Sequence, residues 1–371
     1  MNSEQIIKVD GIEYLVEDSL INYRIEDSFI DRSNKLAQFS GNGEAKKHIG
    51  SYAGDGRNNL GKFFNYYSWG LEYIDPETNS KTMNQASKVG AVVQHYSCCF
   101  SKSNLLHYLA DAKSEYFSQE QEYHNNIGAF FDSRHSKVSN LDSEYIWFSI
   151  YDASDNRSKP QSRAYIRSDD NIWNLWRTIV LPKISYLSIL KLKPVDSLIN
   201  RTIFYFQIQL DFQYRSFTHP SLLKKVEASR PLQNVERRLA RLGADKYRRE
   251  VLDLMGRCPF TLINDERLLI ASHIKPYAVC VDEGRFDHAV SPQNGLALSP
   301  TYDKLFDQGF LTFTDFGELI CSPLLSPFIW SKLNINPSIK KRLQIFPEGR
   351  KEFLEFHRSN VFQGSVEEIL G

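Results

Sequence analysis

Four residues between positions 273 and 307 have the side chains that metal-assisted hydrolysis of a phosphodiester requires: His273, Asn294, Asp303 and Asp307. An imidazole with an ordinary pKa of about 6.5 can take a proton from water. Carboxylate oxygens are hard ligands that suit Mg²⁺ or Mn²⁺, and such an ion stabilises the charge that develops around phosphorus. These residue types predict a hydrolytic site in which one histidine acts beside a divalent cation.

The local sequence predicts the elements that position these side chains. The run Arg267–Ser272 is typical of a strand ending at His273, and a loop of about twenty residues follows it. Gly295–Leu298 predicts a second short strand. Pro300 is expected to begin a helix that carries both aspartates at positions i and i+4, and therefore on one face. Two alternating runs around an Asp-Phe-Gly turn, residues 311–320, predict a hairpin.

A change in charge separates this segment from the residues before it. Residues 224–257 contain ten basic and five acidic side chains, whereas residues 258–326 contain nine acidic and four basic ones. A helix is expected to start at Pro231 and to stop at Gly243, with its arginines facing away from the apolar stripe. Such a charge run is typical either of a solvated helix face or of a surface that binds phosphates.

Three sequence blocks occur in order in the acidic segment, and together they resemble the HNH endonuclease family, whose catalytic unit is the ββα-metal finger. The resemblance is closest to the branch found in restriction enzymes and extends over about residues 234–362. It includes a closing helix near residues 353–362. The blocks are Ser272-His273-Ile274-x-Pro276, Asn294-Gly295-x-x-Leu298 and Tyr302-Asp303-x-Leu305-Phe306-Asp307-x-Gly309.

The resemblance implies a role for each residue of the site. His273 takes the place of the general base, and Asn294 either fixes the loop that holds the base or ligates the metal. Asp303 stands where many relatives have a metal-ligating histidine. Many relatives also place an aspartate before the first histidine, where this chain has Ser272, so Asp307 is expected either to replace that ligand or to brace the fold. The cofactor expected from the resemblance is Mg²⁺ (or Mn²⁺). The residues expected to contact DNA are Arg237, Arg238, Arg241, Arg248, Arg249 and Lys275.

The rest of the chain predicts a second domain. A length of 371 residues suggests two or three domains. Helical spacing from Met83 to Phe117 and strands at Tyr145–Tyr151 and Ile203–Phe212, the latter half-buried, indicate an α+β fold. We expect an N-terminal mixed α/β DNA-recognition domain (1–220), a basic helical connector (221–257) and a C-terminal ββα-metal (HNH) nuclease domain (258–371).

These observations predict a sequence-selective, divalent-metal-dependent DNA endonuclease of the restriction type, acting on double-stranded DNA as a homodimer. One alternative is a modification-dependent endonuclease that holds a flipped base among Trp147, Trp173 and Trp176. Another is a DNA-binding protein whose HNH fold is inactive, and a third is a nuclease toxin. A rival catalytic pattern, Asp31 with Glu44 and Lys46, lies in a glycine-rich stretch that favours a solvated loop.

The composition excludes several other classes of protein. Lys plus Arg and Asp plus Glu both number 45, so the chain as a whole is not basic. The five cysteines form no C-x-x-C pair, and Cys258, Cys280 and Cys321 are expected in the core. Neither a secretory signal nor an apolar run long enough for a membrane span is found, which predicts a cytoplasmic protein. His288 is expected in a solvated loop, and His357 with Arg358 on a helix surface.

Overall fold

The computed structural model divides the chain into two compact units. The N-terminal unit comprises Ile6–Asp211 and Ser326–Ile329, and the C-terminal unit comprises Met1–Gln5, Phe212–Leu325 and Trp330–Gly371. The mixed α/β class is confirmed, while the functional division at residues 220 and 257 stays a prediction. The structure describes residues 5–24, 45–48, 63, 73–74, 81–82, 96–118, 127–150, 152–156, 163–168, 170–181, 184–199, 201–215, 234–339 and 345–371.

A six-stranded sheet forms the centre of the N-terminal unit. Its strand order is β1-β2-β10-β11-β6-β7, and all neighbours are antiparallel except β11 and β6. Smaller sheets pair β3-β9-β8 and β4-β5. The strands are β1 (Ile6–Val9), β2 (Ile12–Arg24), β3 (Ala45–His48), β4 (Tyr73–Ile74), β5 (Lys81–Thr82), β6 (Tyr96–Ser101), β7 (Tyr145–Ile150), β8 (Asp152–Asn156), β9 (Arg163–Arg167), β10 (Ser185–Pro194) and β11 (Ile203–Leu210).

Aromatic side chains fill the core beside this sheet. Trp173 and Trp176 are both 0% exposed and stack on each other with ring centroids 4.7 Å apart. Phe100 of β6 and Phe148 of β7 stack against this pair. The burial of these rings is a large part of the apolar area that stabilises the unit. The helices are α1 (Lys102–Ser118), α2 (Ile127–Ser139) and α3 (Asn171–Ile179).

Two expectations for the N-terminal unit need correction. The segment ending at Phe117 is not helical throughout, because the buried run Tyr96–Ser101 is a strand; its first part, residues 83–95, lies outside the described residues. The helix begins only after Ser101, whose Oγ accepts a hydrogen bond from the Asn104 amide at 3.1 Å. Strand β11 is not half-buried: every residue except Gln209 is buried, so both faces of this strand are covered.

The C-terminal unit is built from short elements arranged around one long helix. The helices are α4 (Asn234–Met255), α5 (Tyr277–Asp282), α6 (Phe286–Ala289), α7 (Pro300–Asp307), α8 (Pro327–Lys332), α9 (Lys351–Phe356), which continues as a π-helical turn (His357–Val361), and α10 (Val366–Leu370). The strands are β12 (Ile270–His273), β13 (Gly295–Leu298), β14 (Leu311–Phe313) and β15 (Leu319–Cys321).

Strands β12 and β13 form an antiparallel pair that sets the geometry of the site. Their register places His273 opposite Gly295 and Ile270 opposite Leu298. Strand β12 starts three residues later than predicted, because a 3-10 turn capped by Asp265 precedes it. The loop between the strands contains α5 and α6. The predicted helix at Pro300 and the hairpin of β14 and β15 are confirmed.

The long helix α4 also differs from expectation, because it does not stop at Gly243. It continues for three more turns to Met255, and Gly256 follows with a φ of +68° that ends it. A mid-helix glycine costs about 1 kcal/mol relative to alanine, and packing of the later turns offsets this cost. A Cβ added to Gly295 would lie 2.3 Å from Val251 Cγ2, which shows how closely α4 approaches β13.

The cysteines lie where the sequence predicted. Cys258, Cys280 and Cys321 are buried and form no disulfide. Among the described residues, no helix is both long and apolar enough to cross a membrane.

Candidate functional site

A cavity of about 320 Å³ in the C-terminal unit collects most of the candidate residues. It is lined by His273 at the end of β12, by Asp303 and Asp307 of α7, and by the buried His357. The i, i+4 spacing on α7 places both carboxylates on the face that looks into the cavity. An imidazole and two carboxylates separated by 30 or more positions therefore meet in one concave site.

His273 is held in one tautomer by the backbone. Its Nε2 lies 3.0 Å from the carbonyl oxygen of Ala289. A carbonyl can only accept a hydrogen bond, so Nε2 carries the proton and Nδ1 of the neutral ring keeps its lone pair. Burial lowers the pKa of the imidazole below its usual value, and the bond to Ala289 partly opposes this shift. The ring is consequently neutral at pH 7 and can accept a proton at Nδ1.

Asn294 is fully buried and acts on the loop that carries the histidine. Its Oδ1 accepts a hydrogen bond from the Lys275 amide at 2.7 Å. Its Nδ2 donates to the carbonyl oxygens of Lys275 and His288, at 3.0 and 3.1 Å. These bonds span the two ends of the β12–β13 connection. With these bonds made, the side chain does not line the cavity, and the geometry favours the loop-fixing role over metal ligation.

The surroundings of Asp303 and Asp307 disfavour the ionised form of both carboxyl groups. Burial raises the pKa of Asp303. Burial and then the charge of Asp303 raise the pKa of Asp307 to about 6. Ser272 Oγ donates a hydrogen bond to Asp307 at 3.3 Å, which partly relieves the cost. Two neighbouring carboxylates whose pKa values are raised, both by burial and Asp307 also by the charge of Asp303, form an arrangement that a bound cation would stabilise.

The protein supplies few ligands for such a cation. Among the described residues, no three His, Cys, Asp or Glu side chains lie close enough together to bind a metal ion. Mg²⁺ is usually held by one or two carboxylates, with water and substrate phosphates completing its shell. Asp303 and Asp307 fit that pattern, with Ser272 hydrogen-bonded to one of them.

The predicted DNA-binding residues have different environments. The Lys275 ammonium is 7% exposed and paired with Glu283 at 2.5 Å, so its position does not support a phosphate contact. Arg248 donates to the carbonyl oxygens of Leu269 and Glu266, which attaches α4 to the turn before β12. Arg249 is exposed. The side chains of the other three arginines, Arg237, Arg238 and Arg241, lie outside the described residues.

Two residues that the sequence analysis missed contact the strands and side chains that form the site. Tyr247 of α4 stacks on His273, and its hydroxyl donates to the Asn294 carbonyl oxygen at 3.1 Å. Arg350 is 0% exposed and donates to the Gly295 carbonyl oxygen at 3.3 Å. The carbonyl oxygens of Asn294 and Gly295, at the start of β13, thus accept hydrogen bonds from two side chains that are distant in sequence. A lone arginine before a helix gives no sequence signal for this role.

His357 is a correction to the sequence analysis, because it lies in the core and not on a helix surface. It is 1% exposed and stacks on Phe306 at 3.9 Å. Its Nε2 donates to the Phe306 carbonyl, and its Nδ1 accepts from Thr312 Oγ1 at 3.0 Å. Arg358 is also not free, since it donates to the Phe313 carbonyl oxygen and to Asp315.

The burial of His357 predicts that the protein loses stability in mild acid. Burial lowers the pKa of this histidine to about 3. The unfolded chain, with a histidine pKa of about 6.5, binds more protons than the folded chain below that pH. Stability should therefore fall as the pH drops from 6.5 towards 3, by up to about 1.4 kcal/mol per pH unit. The free energy of unfolding by denaturant is measured at pH 7.0 and 5.5 for the wild type and for His357→Gln, and it should fall more in the wild type. An equal decrease in both proteins would contradict the role of His357.

Other predicted residues are placed as follows. His288 lies on α6, half-buried, with its ring 3.6 Å from a Glu352 oxygen, and not in a solvated loop. Trp173 and Trp176 belong to the core, which argues against their holding a flipped base. Trp147 is 41% exposed and donates to Asp10. Of the rival pattern, Asp31 and Glu44 lie outside the described residues and Lys46 lies on β3.

Comparison with known proteins finds a match for the segment that supplies most of the residues lining this cavity. The family model described as HNH endonuclease matches residues 258–314. This segment is similar to an HNH endonuclease domain. The match confirms the family resemblance and supports a nuclease of the HNH kind. His273, Asn294, Asp303 and Asp307 all lie inside this segment, whereas Tyr247, Arg350 and His357 lie outside the matched range. No curated protein matches the chain.

Proposed function

We propose that this protein is a sequence-selective, divalent-metal-dependent DNA endonuclease of the restriction type, in which His273 is the general base. The observation that carries the proposal is the state of His273 in the segment that matches the HNH family. Its Nε2 is bonded to the Ala289 carbonyl, its ring is neutral, and it shares a cavity with Asp303 and Asp307. An acceptor nitrogen beside paired carboxylates is what hydrolysis of a phosphodiester requires.

The residues of the cavity divide the reaction between them. His273 Nδ1 accepts a proton from the water that attacks phosphorus. The positive charge that the ring acquires is stabilised by the Nε2–H bond to the Ala289 carbonyl oxygen. Asn294 keeps the loop, and with it that carbonyl, in place. The base is therefore fixed before the DNA arrives, and little reorganisation is needed during the reaction.

Asp303 and Asp307 would hold the divalent cation, Mg²⁺ or Mn²⁺. When bound, it supplies positive charge to the phosphate under attack and to the leaving oxygen. Ser272 orients Asp307 through its hydroxyl. An oxygen-only ligand set favours these hard ions over zinc.

Selection of the DNA sequence is assigned to the N-terminal unit. A ββα-metal finger mainly grips the backbone, and backbone contacts carry no direct sequence information. A two-fold symmetric target would favour a homodimer with one site per strand. The modification-dependent alternative is weakened by the burial of Trp173 and Trp176, although Trp147 remains exposed.

The basic helix α4 is proposed to meet DNA phosphates, and Arg249, which is exposed, tests this. Arg249→Ala should weaken binding to all sequences alike and flatten the dependence of log Kd on log salt by about one unit. Fluorescence anisotropy at several salt concentrations measures the slope. Arg267→Ala is the control, because it removes the same charge from a side chain already paired with Asp265 at 2.6 Å. If the slope for Arg249→Ala equals that of the wild type, Arg249 does not contact phosphates, and this face of α4 is a solvated surface.

Digestion of methylated and unmethylated plasmid DNA with Mg²⁺ tests the proposed function. A restriction-type enzyme gives discrete fragments from unmethylated DNA. Fragments from methylated DNA alone would instead support the modification-dependent alternative. DNA binding without cutting, under all metal conditions, would identify an inactive DNA-binding protein.

A further inference from the structure

Tyr247 is a residue of α4 that contacts the candidate base from outside the segment matched by the HNH family model. Its phenol ring lies parallel to the His273 imidazole, with centroids 4.3 Å apart and 13° between the planes. The ring of Tyr277 meets the same imidazole at 6.0 Å and 75°, as an edge contact. The imidazole is therefore packed on one face by an aromatic plane that comes from the connector helix.

The hydroxyl of Tyr247 makes a second contact with the same site. It donates to the Asn294 carbonyl oxygen at 3.1 Å, an oxygen that also accepts from the Ile274 amide at 3.0 Å. Burial raises the pKa of Tyr247 well above its usual value, so the phenol remains a donor. One side chain thus contacts the histidine and the residue that fixes the histidine's loop.

The histidine needs this second support. Among the described residues, the hydrogen bond of its imidazole runs from Nε2 to Ala289. One hydrogen bond fixes the position of a single ring atom, whereas a stacked ring restricts the plane of the imidazole. The direction of the Nδ1 lone pair depends on that plane, and proton transfer depends strongly on alignment.

We propose that Tyr247 is a positioning residue that fixes the plane of the His273 imidazole, and that helix α4 is thereby part of the nuclease site. The inference rests on the proposed function insofar as it concerns catalysis. Tyr247 lies outside the range of the family match, so the inference adds a residue to the site. It also gives helix α4 two proposed roles, binding DNA phosphates and positioning the base.

Two substitutions at Tyr247 separate the stack from the hydrogen bond. Tyr247→Phe keeps the ring and loses the hydroxyl, and its kcat should stay within about fivefold of the wild type. Tyr247→Leu loses both, and its kcat should fall about 10- to 100-fold while KM and DNA affinity stay unchanged. Val251→Ala is the matched control for stability, because Val251 is fully buried one turn further along α4, against Gly295. It should lower the melting temperature and leave kcat near the wild-type value.

Nuclear magnetic resonance of histidine-labelled full-length protein gives a readout that needs no catalysis. The carbon-bound protons of His273 should be shifted upfield by the Tyr247 ring in the wild type and in Tyr247→Phe, and this shift should disappear in Tyr247→Leu. Unchanged His273 signals in Tyr247→Leu, or a kcat loss no larger than that of Val251→Ala, would overturn the inference. If the wild type cuts no DNA, the proposed function fails, and the resonance experiment alone decides whether Tyr247 fixes the imidazole.

Discussion

Replacing His273 with alanine should lower the rate of DNA cleavage by about 10²-fold or more and leave DNA affinity nearly unchanged. General-base catalysis contributes about 10²- to 10⁴-fold, and an interaction used only in the transition state affects kcat rather than binding. In the structure the ring lines the cavity, stacks on Tyr247 and uses Nε2 for its hydrogen bond to Ala289, which leaves Nδ1 as the nitrogen proposed to accept the proton. Its loss therefore removes the proton acceptor without removing a phosphate-binding charge.

Single-turnover cleavage and anisotropy binding on the same duplex measure the two quantities. His135→Ala is a suitable control, since it removes an exposed imidazole from α2 in the other unit. His273→Ala protein that loses binding and cutting to the same extent would contradict the role of this residue as base.

Asp303→Asn should reduce cutting by about 10²-fold or more at low metal concentration, with partial rescue by Mn²⁺. If Asp303 and Asp307 are the two carboxylate ligands of the cation, removing one of them removes several kcal/mol of transition-state stabilisation. Burial and then the charge of Asp303 raise the pKa of Asp307, and the substitution removes the second of these causes. In metal-free buffer the variant should therefore unfold at a higher temperature than the wild type.

Lower activity together with higher stability is expected where two buried carboxylates are held close together for function. Cleavage rates over a range of Mg²⁺ and Mn²⁺ concentrations test the expected loss of activity. Thermal unfolding in chelator tests the expected gain of stability. An Asp303→Asn protein that cuts normally at low Mg²⁺ would place the metal elsewhere. Asp315→Asn is the control, because Asp315 is bonded to Arg358 and does not line the cavity.

The elements of the segment that matches the HNH family could be predicted from sequence because each carries a local signal. Pro300 begins α7, the spacing of Asp303 and Asp307 puts them on one face, and Asn294 directly precedes β13. Those signals depend on neighbours in the chain. The structure brings three of the four proposed residues, His273, Asp303 and Asp307, to one cavity, and the fourth, Asn294, forms hydrogen bonds with the loop that follows His273.

The supports of the site could not be predicted because they depend on contacts between distant segments. Tyr247 looks like any residue on the apolar face of a helix, and Arg350 looks like a surface charge. His357 was expected at the surface because a His-Arg pair is polar, yet two hydrogen bonds satisfy its ring in the core. Helix α4 continues past Gly243 because the packing of its later turns outweighs the low helix propensity of glycine.

The most direct test of the central claim is cleavage of a defined DNA duplex by the full-length wild-type protein as divalent metal is added, removed and restored. The structure predicts that strand cleavage begins when Mg²⁺ or Mn²⁺ is added, stops with excess chelator and resumes when the metal is replenished. Cleavage that continues in chelator would contradict an HNH site built on His273, Asp303 and Asp307, and so would a protein that binds the duplex but cuts it with neither ion.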